Sequence, residues 1–150
     1  MKKFAIIGGG IGGLTLGIAM QRKGMDVKVF ESAPQFKPLG AGIALAANAM
    51  KGYKEIGIAD EVIGAGKKIK RMYVKDDQGR IISFTDALLL TELYGIVNNF
   101  TIHRADLHEV LSKLLEPGTI EFGKTCVDFE QHETGVNVHF IDGGTTTADY

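Results

Sequence analysis

The residues best suited to chemistry stand near the start of the chain, where Gly8, Gly10 and Gly13 have the spacing Gly-x-Gly-x-x-Gly. Between a strand and a helix, the first glycine permits a tight turn, the second lets the backbone approach a pyrophosphate, and the third lets the helix pack closely. The N–H groups of the first helical turn, around Ile11 and Gly12, attract an anion together with the helix dipole. The pattern therefore predicts a phosphate-binding turn.

An acidic residue completes the pattern of a dinucleotide site. Glu31 follows Gly13 at the distance at which a carboxylate, placed at the end of a second strand, accepts hydrogen bonds from a ribose diol. The same carboxylate disfavours a 2′-phosphate, because like charges repel. We interpret the whole as an adenine dinucleotide site. The alternative that stays open is a glycine-rich structural turn followed by an exposed glutamate.

The elements that must position these residues can be recognised around the motif. Residues 4–7 form an apolar run typical of a buried parallel strand, and residues 27–30 form a second one. Between them, Leu14 and Ile18 recur at helical spacing, and Gly24 stands where a helix ends in a left-handed residue. This order predicts a strand–helix–strand unit.

The rest of the chain predicts further strands and helices. Two β-type runs at 70–75 and 80–85 flank a turn and predict a hairpin in a second, antiparallel sheet. Leu107 and Leu111 belong to an amphipathic helix that opens at His103-Arg104. The remaining expected strands are 119–122, 126–132, 136–141 and 145–150. The predicted fold class is α/β: a Rossmann-like parallel sheet that binds FAD or NAD(P), an antiparallel β-meander, and part of a second substrate-type sheet.

Composition and the remaining residue patterns exclude several classes of protein. The net charge of −1 gives no reason to expect nucleic acid. The single cysteine, Cys126, excludes an internal disulfide and predicts a cytoplasmic location. The uncharged run 4–20 holds six glycines, which predicts neither a secretory signal nor a membrane span. The histidines lack metal-ligand spacing and no nucleophile motif is present, so we predict no metal site and no catalytic side chain; a cofactor would supply any chemistry.

With these residues in view, the chain resembles the N-terminal part of the flavoprotein aromatic hydroxylases, the para-hydroxybenzoate hydroxylase family. The resemblance lies in ordered motifs along the whole chain. They are the glycine motif with Glu31-Ser32-Ala-Pro, Gly40-Ala-Gly42-Ile43, His103-Arg104-Ala-Asp-Leu107, and the turn Phe122-Gly-Lys-Thr-Cys126.

The resemblance implies FAD as the cofactor and assigns roles to these motifs. Glu31 is expected to hold the adenosine ribose, Arg104 to contact the cofactor, and Cys126 to line the adenine. The backbone of Gly42 is expected to approach the cofactor. The full set of expected cofactor-binding residues is Gly8, Gly10, Ile11, Gly12, Gly13, Glu31, Ser32, Gly42, Arg104 and Cys126.

The resemblance also implies an activity, in which NAD(P)H reduces the flavin and an aromatic or polyketide-like small molecule is hydroxylated. Residues 68–100 are expected to be an insertion that belongs to a substrate-binding sheet. Family members are longer, so residues 1–150 are expected to be a truncated FAD-binding domain whose exposed sheet edges a partner chain or a second copy covers. Two alternatives stay open: a non-catalytic fragment that binds adenine nucleotides or FAD, and an NAD-binding Rossmann dehydrogenase.

Overall fold

A computed structural model describes residues 2–37, 40–95 and 100–150, and it confirms the mixed α/β class. The helices are α1 (Ile11–Gln21), α2 (Ala47–Glu55), α3 (Ala59–Ala65), α4 (Ala87–Tyr94) and α5 (Arg104–Lys113). The strands are β1 (Lys3–Ile7), β2 (Asp26–Glu31), β3 (Gly42–Leu45), β4 (Lys67–Lys68), β5 (Arg71–Lys75), β6 (Ile81–Asp86), β7 (Phe100–His103), β8 (Ile120–Phe122), β9 (Cys126–His132), β10 (Gly135–Phe140) and β11 (Thr145–Ala148). The chain forms two compact units, one of Met1–Pro38 with His108–Tyr150 and the other of Leu39–Leu107.

The first unit is built on a parallel sheet with the strand order β1–β2–β8. Val29 and Phe30 of the central strand are buried, as expected of an apolar run that is covered on both faces. Helix α1 lies against this strand, because a Cβ on Gly17 would stand 3.4 Å from Cγ2 of Val29. The strand–helix–strand unit predicted from the sequence is therefore present, with β8 as its third parallel strand.

The antiparallel meander packs on the same sheet. Its strand order is β11–β10–β9. Val138 and Phe140 of β10 form a buried cluster with Phe30, and the ring centroids of Phe30 and Phe140 are 4.9 Å apart. Beyond β11, the Tyr150 carbonyl accepts a 2.9 Å hydrogen bond from the Ala5 N–H, so the backbone there runs beside β1. The meander thus buries the face of β2 close to where that strand ends.

The second unit contains the sheet β3–β7–β4 and the separate hairpin β5–β6. Among the described residues, its buried apolar side chains are Leu45, Met50, Tyr53, Ile58, Val62, Ala87, Phe100, Ile102 and Leu107. The hairpin lies where the sequence predicts one, at Arg71–Lys75 and Ile81–Asp86. Its apolar side chains are largely exposed; Ile82, for example, is 68% exposed.

Helices α3 and α4 are not predicted by the sequence analysis. Helix α4 begins at a side-chain cap, in which the Asp86 carboxylate accepts hydrogen bonds from the N–H groups of Leu88 and Leu89. This cap is hard to recognise in the sequence because Asp86 is also the last residue of β6. The expected insertion 68–100 contains the hairpin and α4, while its residues 96–99 lie outside the described residues.

Candidate functional site

The glycine motif forms the connection between β1 and α1. Gly8 has a φ of 100°, in the region that side chains rarely adopt, which is why a glycine is needed at this turn. Its N–H donates a 2.8 Å hydrogen bond to the carbonyl oxygen of Phe30. The turn is therefore fixed to the neighbouring strand β2 immediately before that strand reaches Glu31.

Gly13 lies where α1 passes closest to the turn. A Cβ at this position would stand 2.0 Å from the carbonyl oxygen of Gly8 and 3.3 Å from Cγ2 of Ile6. Since a backbone oxygen cannot yield by that much, only glycine fits. The absence of a side chain here brings the first turn of the helix directly over the end of β1.

Gly10 and Gly12, in contrast, face open space. Neither has a non-neighbouring atom within 4 Å of where a Cβ would stand. Gly10 occupies the N-cap of α1 without a side-chain hydrogen bond, and the first turn of the helix carries no acidic residue. The helix N-terminus therefore presents N–H groups and the positive end of its dipole to a space that an anionic group can enter.

The carboxylate of Glu31 is held next to this turn by three hydrogen bonds. Its Oε2 accepts a 2.7 Å bond from the N–H of Gly9, and its Oε1 accepts a 2.8 Å bond from the N–H of Ala33. The hydroxyl of Ser32 donates to Oε1 at 3.2 Å. An ionised carboxylate has about four acceptor positions. Three bonds leave at least one position open, and the bond from the Ser32 hydroxyl is the longest of the three, so Glu31 can also accept hydrogen bonds from a ligand.

These bonds also keep Glu31 ionised. Partial burial by itself raises the pKa of the carboxyl group, but the N–H groups of Ala33 and Gly9, the Ser32 hydroxyl and the charge of His108 together hold the pKa below its ordinary value. Glu31 is therefore a negatively charged acceptor at neutral pH. Such a group suits the hydroxyls of a ribose and repels a phosphate at the same position.

An aromatic cluster and a turn border Glu31. The ring of Phe36 meets Phe122 edge-on at 4.8 Å between centroids and His108 at 4.1 Å, and its Cε1 lies 3.2 Å from where a Cβ of Gly9 would stand. After β8, the Gly123 N–H donates to the Ala33 carbonyl at 3.0 Å. The loop that follows Glu31 is thus held by both ring contacts and backbone hydrogen bonds.

Cys126 begins β9 just after that turn. Its side chain packs against the cluster of Phe30, Val138 and Phe140, and its Sγ lies 3.6 Å from the carbonyl oxygen of Asp128. The thiol is therefore partly buried and donates to a main-chain carbonyl.

The second unit brings two further expected residues together. Gly42 of β3 pairs with His103 of β7, and the Arg104 N–H donates to the carbonyl of Ala41 at 3.1 Å. Gly40 has a φ of 144°, and a Cβ there would stand 3.0 Å from Cβ of Arg104. Within this unit, the antiparallel pairing of β3 and β7 therefore fixes the start of α5 and the base of the Arg104 side chain beside the glycine segment.

The structure thus groups the expected residues by unit. The first unit holds Gly8, Gly10, Ile11, Gly12, Gly13, Glu31, Ser32 and Cys126, and the second holds Gly42 and Arg104. Sequence reasoning missed Gly9 and Ala33, the backbone donors to Glu31. The position of Ala33 two residues after an acidic side chain is the one local signal for such a bond.

Metal-binding clusters and membrane-spanning helices are both absent from the described residues. These residues contain no group of three or more His, Cys, Asp or Glu side chains arranged to hold a metal ion. None of the described helices is long and apolar enough to cross a bilayer.

Comparison with known proteins gives a family. Residues 2–150 match the family model described as FAD binding domain. The chain is 33% identical over 149 residues to the 3-amino-4-hydroxybenzoate 2-monooxygenase of Streptomyces cremeus, and the aligned region covers 98% of the chain and 38% of that protein. It is also 33% identical to the 6-hydroxynicotinate 3-monooxygenase of Bordetella bronchiseptica, with 98% of the chain and 39% of that protein covered.

A solved structure agrees with these relatives. The crystal structure of Klebsiella pneumoniae HpxO complexed with FAD and uric acid superimposes with a TM-score of 0.89 at 28% identity, over 99% of this chain and 37% of that one. The chain therefore spans less than two fifths of the length of the relatives that it matches.

Proposed function

This chain belongs to the FAD binding domain family, and we propose that it binds FAD as the N-terminal portion of an NAD(P)H-dependent flavin monooxygenase. The substrate class that we propose is an aromatic or polyketide-like small molecule. The relatives named above are monooxygenases of a substituted benzoate and a substituted nicotinate, which supports the aromatic class. Since the chain spans less than two fifths of those relatives, the reaction is proposed for a protein of their length, and the binding of FAD for the chain itself.

One observation carries the proposal: an open, uncapped helix N-terminus lies beside an ionised carboxylate. The space at Gly10 and Gly12 fits a pyrophosphate group, which the N–H groups of the first turn would hold. The Gly9 N–H links this turn to Glu31 through a 2.7 Å hydrogen bond. The residues present therefore fit the adenosine diphosphate half of FAD, with its phosphates at the turn and its ribose at Glu31.

The other expected residues would complete the binding of the cofactor. Arg104 supplies a guanidinium, and Gly42 supplies a stretch of backbone without a side chain. Ser32 would release its bond to Glu31 when ribose hydroxyls take its place. When bound, FAD supplies the redox chemistry, and the residues of this chain bind and orient it.

A titration tests the proposal. The purified chain is titrated with FAD while flavin fluorescence is followed, with AMP and NAD as competitors. We expect saturable binding of FAD that AMP weakens by competition and that NAD weakens less. Binding of NAD in preference to FAD would favour the dehydrogenase alternative, and full competition by AMP against a weak FAD signal would favour a module that binds only the adenosine half.

A turnover assay tests the activity. In a protein of the relatives' length, NAD(P)H oxidation should depend on FAD and should be stimulated by a substituted aromatic acid or N-heteroaromatic ring. Flavin-independent oxidation of NAD(P)H, or reduction of NAD by a hydroxylated substrate, would contradict the proposed reaction.

A further inference from the structure

The turn between β8 and β9 contacts the loop that carries the candidate ribose carboxylate. The Lys124 N–H donates a 2.9 Å hydrogen bond to the main-chain carbonyl of Glu31, and the Gly123 N–H donates a 3.0 Å bond to that of Ala33. Gly123 has a φ of 71°, so the turn depends on a glycine in the left-handed region. Two successive N–H groups thus hold the backbone on both sides of Ser32.

The side chain of Lys124 connects this turn to the meander. Its Nζ lies 2.6 Å from Oδ2 of Asp142, in the turn between β10 and β11, and 5.3 Å from the ring centroid of Phe140. The other carboxylate oxygen of Asp142 accepts a 2.9 Å bond from the Gly144 N–H. The ammonium group is therefore placed by a carboxylate, which is itself fixed to its own turn, and by an aromatic face.

The ion pair is partly exposed, with 45% of the Asp142 side chain accessible, and Gly144 lies beside it. A Cβ on Gly144 would stand 3.0 Å from Oδ1 of Asp142 and 3.3 Å from Nζ of Lys124. The Lys124 side chain is 27% exposed, less than in the other ion pairs that lysines make in this unit, Lys28–Glu121 and Lys113–Glu109. A side chain held in this way loses less freedom when it pairs, so the ion pair can restrain the backbone to which it is attached.

We propose that Lys124 and Asp142 are a positioning pair for Glu31: their ion pair fixes the turn whose N–H groups hold the Glu31–Ala33 backbone, and so keeps the carboxylate aimed at the ribose hydroxyls. The role of the pair in nucleotide binding rests on the proposed function. Its effect on Glu31 itself does not, because that effect exists in the free protein. Neither side chain touches the carboxylate of Glu31, so both act through the backbone.

Two ligands separate this role from a general contribution to stability. AMP carries the ribose diol, whereas 2′,3′-dideoxy-AMP has the same base and phosphate without the hydroxyls. In the Lys124→Met variant the backbone N–H remains but the ion pair is lost. We expect the affinity for AMP to fall about two- to fivefold, the range of a partly exposed ion pair, and the affinity for dideoxy-AMP to stay at the wild-type value.

Matched variants control the experiment. Asp142→Asn should reproduce the loss seen with Lys124→Met, and the double variant should lose no more than either single one, because both remove the same interaction. Lys124→Arg should restore binding, since arginine can keep the pair. Lys113→Met, which removes the ion pair with Glu109 at 2.5 Å in the same unit, should leave both affinities unchanged.

A second readout needs no ligand. The pKa of Glu31, followed by the side-chain carbon signals in NMR, should rise toward its ordinary value in Lys124→Met, because the loosened loop weakens the bonds from Ala33 and Gly9. The proposal is overturned if AMP affinity and this pKa both match the wild type, or if AMP and dideoxy-AMP lose affinity equally. If the wild-type chain binds neither FAD nor AMP, the proposed function fails, and the pKa of Glu31 still decides whether the pair positions it.

Discussion

Gly13 packs so closely on Gly8 that a Cβ at position 13 would stand 2.0 Å from the Gly8 carbonyl oxygen. At Gly12, one residue earlier in the same helix, a Cβ would meet nothing within 4 Å. The two adjacent glycines thus serve different purposes. Gly13 permits the packing of the fold, and we propose that Gly12 leaves room for the cofactor.

The Gly13→Ala substitution should lower the free energy of unfolding by about 1–3 kcal/mol, the usual cost of forcing an atom into a packed site. Gly12→Ala should raise it by up to about 1 kcal/mol, because alanine is the better helix former. Urea unfolding of both variants measures the difference. Equal stabilities would show that the backbone can relax around an alanine at position 13, contrary to our interpretation that only glycine fits there.

Gly10→Ala should separate binding from folding. Its backbone is extended, with φ −70° and ψ 176°, and a methyl group there meets no protein atom, so stability should change by less than about 1 kcal/mol. The methyl would nevertheless occupy the space assigned to the pyrophosphate, and FAD affinity should fall roughly tenfold or more. Fluorescence titration measures this loss. If the variant binds FAD with the wild-type affinity, the phosphates of FAD do not lie at Gly10.

Glu31 should make the stability of the fold depend on pH. Its folded-state pKa lies below the ordinary value of 4.5, so the folded state binds fewer protons than the unfolded state at mildly acidic pH. The contribution is complete above pH 4.5 and is lost as the pH falls through the lower folded value. Denaturation at a series of pH values should therefore give a flatter acid limb for Glu31→Gln than for the wild type. If both proteins lose stability equally as the pH falls, the pKa of Glu31 is not lowered in the folded state.

Arg104 should contribute to cofactor affinity through its charge. Arg104→Met keeps most of the aliphatic stem beside Gly40 but removes the guanidinium, and FAD affinity should fall roughly tenfold or more, as expected for loss of a charge-assisted hydrogen bond. Arg80→Met is the matched control in the same unit, because Arg80 pairs with Asp76 at 2.6 Å in the hairpin turn. Equal FAD affinities in the two variants would show that Arg104 does not contact the cofactor.

Much of the first unit could be predicted from the sequence because its signals are local. The apolar runs, the glycine turn and the helix stripe lie within the first 31 residues, and the observed β1, α1 and β2 follow them closely. The hairpin could be predicted equally well from the sequence, since a short turn joins two β-type runs. Helices α3 and α4 were missed because they are short and carry no clear periodicity, and because the cap of α4 is the last residue of a strand.

Local spacing was enough to predict that a glycine turn, a helix and an acidic residue follow one another as in a dinucleotide site, since residues close along the chain impose that order. How the main chain at Glu31 is held depends on contacts between distant segments. The N–H groups of Lys124 and Gly123, which bind the carbonyls of Glu31 and Ala33, lie far along the chain, and the bonds form because β8 pairs in parallel with β2 and ends beside it. Strand pairing of this kind depends on which distant segments bury each other's apolar faces, and no local spacing encodes it.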